Sequence, residues 1–259
     1  MIKKNHKKTL HFNINQSYKK FFNNKNILIV GSSSSLANSL IKSEALSNAN
    51  LYGLSNKKNT KNLTKNFNFD FTNEDCDFNE IINFFKKNKI YIDSIVLFSG
   101  VHYFNNTKNF NLIKSLNLFK VNYFLKIYLI SKLYKNNLIK KDSSICFISS
   151  TSSKKVFEGT LDYSSSFSAL DQSMQIMAKE FLDKKIRVNA ISVGFANSST
   201  LKKSRLAFTD TQLKNLKSTY PLGFVSSNNL DQLIFFILSD ASKQITGQNY
   251  ILDSGSNLF

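Results

Sequence analysis

Ile27-Leu-Ile-Val-Gly31-Ser-Ser-Ser-Ser35-Leu-Ala37 is the stretch on which the reading of this chain turns. Four consecutive apolar residues closed by a glycine fit a short strand buried on both faces. The glycine and the serines after it make a tight turn of small residues, and the run from Ser35 to Ser47 fits a helix that starts there. A strand, a small-residue turn and a helix N-terminus aim backbone N–H groups and the helix dipole at one point, an arrangement suited to a pyrophosphate. Taken alone, the same residues also fit a serine-rich turn that only caps a helix.

Working outward, the same alternation repeats. Strands are predicted at Ile27–Val30, Asn50–Leu54, Phe67–Phe69, Ser94–Phe98, Ser144–Ile148, Ile186–Ile191 and Tyr250–Leu252. Helices are predicted between them, at Ser35–Ser47, Glu74–Asn88, Lys114–Asn137, Tyr163–Asp183 and Asn229–Ser239. Strands that alternate with helical stretches predict βαβ units, and so an α/β fold: a doubly wound parallel sheet of about seven strands with helices on both faces. No repeat and no Pro/Gly-rich linker divides residues 26–259, which read as one domain. Residues 1–25 carry seven lysines and no acid, and read as a loose basic extension ahead of it. The irregular stretch from Gly194 to Tyr220 is long for a connection and reads as a lid or substrate loop.

Composition removes other classes. No run approaches the roughly 18 apolar residues of a membrane span, and no apolar segment follows the basic start, so a cytoplasmic protein is expected. Cys76 and Cys146 stand far apart, and with His6, His11 and His102 they show no metal-ligand spacing, so neither a disulfide framework nor a metal is expected. The net charge of +18 suggests nucleic acid, but only Arg187 and Arg205 of the 35 basic residues are arginine. Abundant Lys, Asn, Ile and Phe with scarce Gly, Pro and Ala are what an A+T-rich coding sequence gives, and no nucleic-acid partner is expected.

Seven collinear segments resemble the short-chain dehydrogenase/reductase family, over about Asn26 to Phe259. The turn at Gly31 is similar to TGxxxGxG, with Ser35 and Ala37 in the other two glycine positions. Asp70 of Phe67-Asn-Phe-Asp70-Phe-Thr matches the aspartate beside the adenine ring, and Ser99-Gly100 ends the strand that carries NNAG in the family. Lys120-Val-Asn122-Tyr matches the active-site asparagine. Ser150 precedes Asp162-Tyr163-Ser-Ser-Ser-Phe167 by the spacing of the family's serine and YxxxK tyrosine, here thirteen residues. Arg187-Val-Asn-Ala-Ile-Ser-Val-Gly194 and Ile245-Thr-Gly247-Gln-Asn-Tyr-Ile-Leu-Asp253-Ser-Gly255 complete the series. The nearest likeness is to β-ketoacyl carrier-protein reductases and related small reductases.

The resemblance implies a Rossmann-type fold and a nicotinamide-dependent oxidoreductase that reduces a carbonyl or oxidises an alcohol. In it Tyr163 exchanges the proton, Ser150 polarises the carbonyl and Asn122 holds a relay water. It places the cofactor against Gly31, Ser33, Ser35, Leu36, Ser55, Asn56, Asp70, Phe71, Ser99, Gly100, Tyr163, Gly194 and Ser198. The second strand ends Ser55-Asn56-Lys57-Lys58 without an acid, which favours NADP over NAD. The apolar residues of Tyr163–Asp183 cover more than one helix face, which fits a homodimer or homotetramer. One departure matters most: the lysine of YxxxK is Phe167, which can neither stabilise a phenolate nor bind a ribose, although Lys154 or Lys155 could approach from the loop after Ser150. A catalytically impaired homologue that serves as a binding or assembly subunit is therefore the alternative to an enzyme.

Overall fold

The computed structural model describes residues 14–57, 62–73, 76–103, 106–196 and 209–258. Seven strands form one sheet: β1 (Asn26–Val30), β2 (Asn50–Ser55), β3 (Lys65–Asn68), β4 (Ile92–Leu97), β5 (Ile139–Ser150), β6 (Arg187–Val193) and β7 (Asn249–Leu252). Their order is β3-β2-β1-β4-β5-β6-β7, and every neighbouring pair is parallel. The chain moves outward one way from β1 to β3 and then crosses back to β4. This reversal opens a crevice beyond the carboxyl ends of β1 and β4, the place where such sheets bind ligands. The sheet confirms the α/β class and all seven predicted strands.

Strand side chains alternate between the two faces, and each face has its own helices. Leu28, Val30, Ile95, Leu97, Ile145 and Phe147 join one core with α3 (Asn79–Lys87), α5 (Leu125–Lys135) and α6 (Leu161–Glu180). Ile27, Ile29, Val96, Cys146 and Ile148 join the other with α2 (Ser35–Ile41) and, further along the chain, α8 (Ser227–Leu238). Among the described residues no helix is long and apolar enough to cross a membrane.

Three expectations need correction. The basic extension is not loose as far as residue 25: α1 (Ile14–Phe21) is a helix, and Phe22 is fully buried. Tyr18 and Phe22 set their rings 5.4 and 5.7 Å from that of Phe235 on α8. Aromatic burial thus outweighs the repulsion among nearby lysines, of which Lys19 lies 3.6 Å from Glu44 and Lys25 3.5 Å from Asp93. The long helix predicted at Lys114–Asn137 is α4 (Leu112–Phe119) followed by a π-helical turn, Lys120–Phe124, and then α5. Such turns accommodate one extra residue and re-aim a side chain, here Asn122. The stretch read as irregular from Gly194 to Tyr220 contains α7 (Asp210–Ser218).

Candidate functional site

Gly31 leaves β1 with φ +77°, and a Cβ there would lie 2.6 Å from the backbone N of Ser99. Only glycine combines that angle with so close an approach between the ends of β1 and β4. Ser34 then caps α2, its hydroxyl accepting the Ala37 N–H at 3.1 Å. Ser35 is the first residue of α2 and is not among the positive-φ residues. The strain that a serine would suffer at a glycine-only position is therefore absent. The Ser32 hydroxyl donates to Asn66 Oδ1 at 3.0 Å and fastens the turn to β3.

Beyond β2, the Ser55 hydroxyl donates to the Lys57 carbonyl at 3.2 Å. Asp70 follows β3 and accepts both the N–H and the hydroxyl of Thr72, at 2.9 and 2.7 Å. These bonds, first the backbone one, hold its carboxyl below the usual range, with a further contribution from the Asn56 side chain. Ser99, beyond β4, buries a hydroxyl oxygen that has no hydrogen-bond partner among the described residues.

Ser150 ends β5, and Tyr163 sits in the first turn of α6. The two are hydrogen-bonded; that bond favours the phenolate, but desolvation by burial outweighs it and Tyr163 is pushed up to about 12. Phe167, one turn further, is buried, with its ring edge-on to that of Tyr163 at 4.9 Å. The lysines suggested as substitutes have other partners: Lys154 lies 3.8 Å from Asp171, and Lys155 donates to the Ser256 carbonyl.

Asn122 is fully buried and its amide is engaged on both sides. Its Oδ1 accepts the Val101 N–H at 2.8 Å, and its Nδ2 donates to the Val101 carbonyl at 3.1 Å and to Ser166 Oγ at 3.3 Å. The side chain pins the segment after β4.

A cavity of about 1190 Å³ gathers these elements at the carboxyl ends of the strands. Gly31, Ser33, Ser35, Leu36, Ser55, Asn56, Asp70, Phe71, Ser99, Gly100, Ser150, Tyr163 and Gly194 all line it. Asn122 stands behind the wall, beside its lining neighbour Val121, and Ser198 lies outside the described residues. Sequence reasoning did not single out His102, whose ring lies 4.9 Å from that of Tyr163, nor Leu216 of α7; both line the cavity. The signal for His102 was its position two residues after Gly100, at a strand end that faces the site.

A family model described as "Enoyl-(Acyl carrier protein) reductase" matches residues 31–257. Over 91 residues the chain is 32% identical to the enoyl-[acyl-carrier-protein] reductase [NADH] of Rickettsia prowazekii, covering 35% of this chain and 34% of that one. Over 117 residues it is 30% identical to the 3-oxoacyl-[acyl-carrier-protein] reductase of Thermotoga maritima, covering 45% and 46%. These matches thus span about a third to a half of the curated relatives. A short-chain dehydrogenase family protein from Francisella tularensis has the same fold, with a TM-score of 0.80, 22% identity, and 91% and 100% coverage. The family model reaches from the first strand's turn nearly to the C-terminus, over a sheet whose strand ends converge on one cavity, and the chain belongs to the short-chain dehydrogenase/reductase family.

Proposed function

We propose that the protein is a nicotinamide-dependent reductase of a small carbonyl compound, with Tyr163 as proton donor and Ser150 as its partner on the carbonyl oxygen. The observation that carries this reading is the Ser150–Tyr163 hydrogen bond in the same cavity as the Gly31 turn. The cavity fits a dinucleotide. The small side chains of Ser33 and Ser35 leave room for a pyrophosphate, Asp70 and Phe71 suit an adenine, and the buried Ser99 hydroxyl still has a bond to make. When bound, the nicotinamide supplies the hydride. Ser150 orients the carbonyl, Tyr163 gives its proton to the oxygen, and Phe157 and Phe167 give the cavity apolar lining. NADPH is favoured over NADH, because Ser55, Asn56 and Lys57 line the cavity beyond β2 with no acid among them.

A second reading, a catalytically impaired member kept as a binding or assembly subunit, draws on Phe167 and on the raised Tyr163 pKa. Calorimetric titration with NADPH and NADH, followed by NADPH oxidation with a panel of diketones, separates the two. Binding plus turnover that Tyr163→Phe abolishes supports the enzyme. Absence of both supports the subunit, and tighter binding of NADH overturns the cofactor preference.

The protein is also proposed to work in the cytoplasm as a homodimer or homotetramer. Leu112, Ile113 and Leu116 on α4, Phe124 before α5 and Ile176 on α6 are all exposed, 49–73% of each. A surface with that much apolar area on one helix layer suits a second copy. Light scattering that gives a monomer at micromolar concentration refutes the oligomer.

A further inference from the structure

His102 has no part in the reading above, although its position is closely defined. The amide of Asn122 holds both backbone groups of Val101, the preceding residue. The imidazole is thereby laid along Tyr163, with ring centroids 4.9 Å apart and planes 30° from parallel. His102 keeps surface open to the cavity, yet the protein packed around it lowers its pKa from 6.5. Its ring meets that of Tyr163 on α6, and the charged groups that line the same cavity among the described residues are Glu158 before α6, Asp70 after β3 and Lys57 after β2. Lys114 of α4 lies 4.9 Å from the neighbouring Tyr103 ring. Burial, which disfavours the imidazolium, lowers the pKa of His102. Phe167 occupies the position from which a lysine would have supplied charge to Tyr163.

We propose that His102 is the proton-exchange partner of Tyr163, returning to its phenolate the proton that Tyr163 has given to the substrate oxygen. The proposal rests on the reductase reading. As the carbonyl carbon takes up hydride, the C=O π pair moves onto oxygen and the Tyr163 O–H bond breaks to protonate it. A phenolate remains. An N–H bond of the His102 imidazolium then breaks, its proton forms the new Tyr163 O–H bond, and the neutral imidazole is reprotonated on its open side by hydronium or a buffer acid, the source of the one proton that carbonyl reduction consumes.

The two acidities give the relay a direction. An imidazolium with a pKa below 6.5 hands its proton readily to the phenolate of a tyrosine near 12. The reverse transfer, which alcohol oxidation needs, is uphill. Reduction should therefore gain rate as the pH falls and His102 becomes protonated.

The test uses the full-length protein, NADPH and butane-2,3-dione between pH 5 and 8. Wild-type kcat should rise as the pH falls through a value below 6.5. His102→Gln should lower kcat by about 10–100-fold, leave KM within about twofold and flatten the profile, and free imidazole should restore part of the rate. An NMR titration of the His102 ring, assigned by its loss in His102→Gln, should give the same pKa as the wild-type profile without any turnover. A folded His102→Gln protein with the wild-type kcat and profile overturns the proposal and leaves the Tyr163 reading intact, provided Tyr163→Phe still abolishes turnover. A loss of kcat that imidazole does not restore, seen also in His102→Asn, makes the role structural and overturns it as well. Wild-type protein that neither binds NADPH nor turns over overturns both readings together.

Discussion

At the β1–α2 turn, Ser35 and Ala37 stand in the two further glycine positions of the TGxxxGxG pattern that the sequence resembles, and the backbone takes both at ordinary helical angles, with Ser34 capping the helix. Across the cavity, Phe167 stands in the lysine position of the YxxxK pattern, and there the surroundings change. Burial raises Tyr163 to about 12, and a different lysine, Lys126 of α5, lies fully buried with Nζ 5.2 Å from the Phe167 ring and no hydrogen-bond partner among the described residues. The contrast follows from what each position has to supply. A turn around a phosphate needs space and one left-handed residue, and small side chains meet that need. A titrating tyrosine needs a charge, and no apolar residue of any shape can stand in for it.

The strongest break of this contrast is expected at the one position of the turn that has no substitute. Gly31→Ala combines a positive φ with a Cβ 2.6 Å from the Ser99 backbone. Strain and overlap together should cost about 2–5 kcal/mol, a fall in Tm of roughly 6–15 °C for a chain of this size, and cofactor binding should fail. A melt within about 2 °C of wild type would show that the ends of β1 and β4 can move apart.

Next in size is Lys126→Met. Burial holds the Lys126 pKa at about 7, against 10.5 in water, while Asp171 acts in the opposite direction. As the pH falls from 10.5 towards 7 the unfolded chain takes up a proton that the folded one refuses, so folding loses stability over that window and the loss is complete below it. Methionine of similar length removes this cost, and the gain should be about 2–3 kcal/mol at pH 7. Melts at pH 6.5 and pH 10 check it: stabilisation should be larger at pH 6.5. Equal effects at both would mean that folding does not lower the Lys126 pKa.

Phe167→Lys sharpens the same side of the comparison. An ammonium one turn from Tyr163 should lower its pKa and raise carbonyl reduction at least about tenfold. Because Phe167 is 5% exposed and packs on Tyr163, the variant should also melt lower. A folded variant with no gain in rate would separate proton supply at Tyr163 from position 167.

The contrast also explains which features the sequence revealed. Strands buried on both faces write continuous apolar runs, so β1, β4 and β5 could be read directly, and their order fixed where the ligand crevice lies. Helix α1 could not: its reason to fold is the burial of Tyr18 and Phe22 against Phe235, more than 200 residues away, and its own letters are mostly polar. The role of Asn122 was hidden for a similar reason, since an amide in an apolar helix does not announce that it will bond to Val101. Lys126 looked like any other lysine of a lysine-rich chain. What stayed hidden was set by contacts between distant residues, and what was legible was set by local period and turn chemistry.

The smallest expected effect is the most direct test of the tolerant side. Ser35→Gly restores the glycine of the family pattern, and if that pattern were a demand for left-handed backbone or for zero side-chain volume, cofactor affinity should improve. Ser35 instead opens α2 at a negative φ, where glycine gives no new freedom to the folded state and adds freedom to the unfolded one. The variant should lose about 0.5–1 kcal/mol of stability, the usual cost of glycine within a helix, and bind NADPH within about twofold of wild type. Calorimetry and a melt on the same sample suffice. Binding tightened tenfold would mean that the serine side chain obstructs the pyrophosphate, and both sides of the cavity would then have given up function by their substitutions.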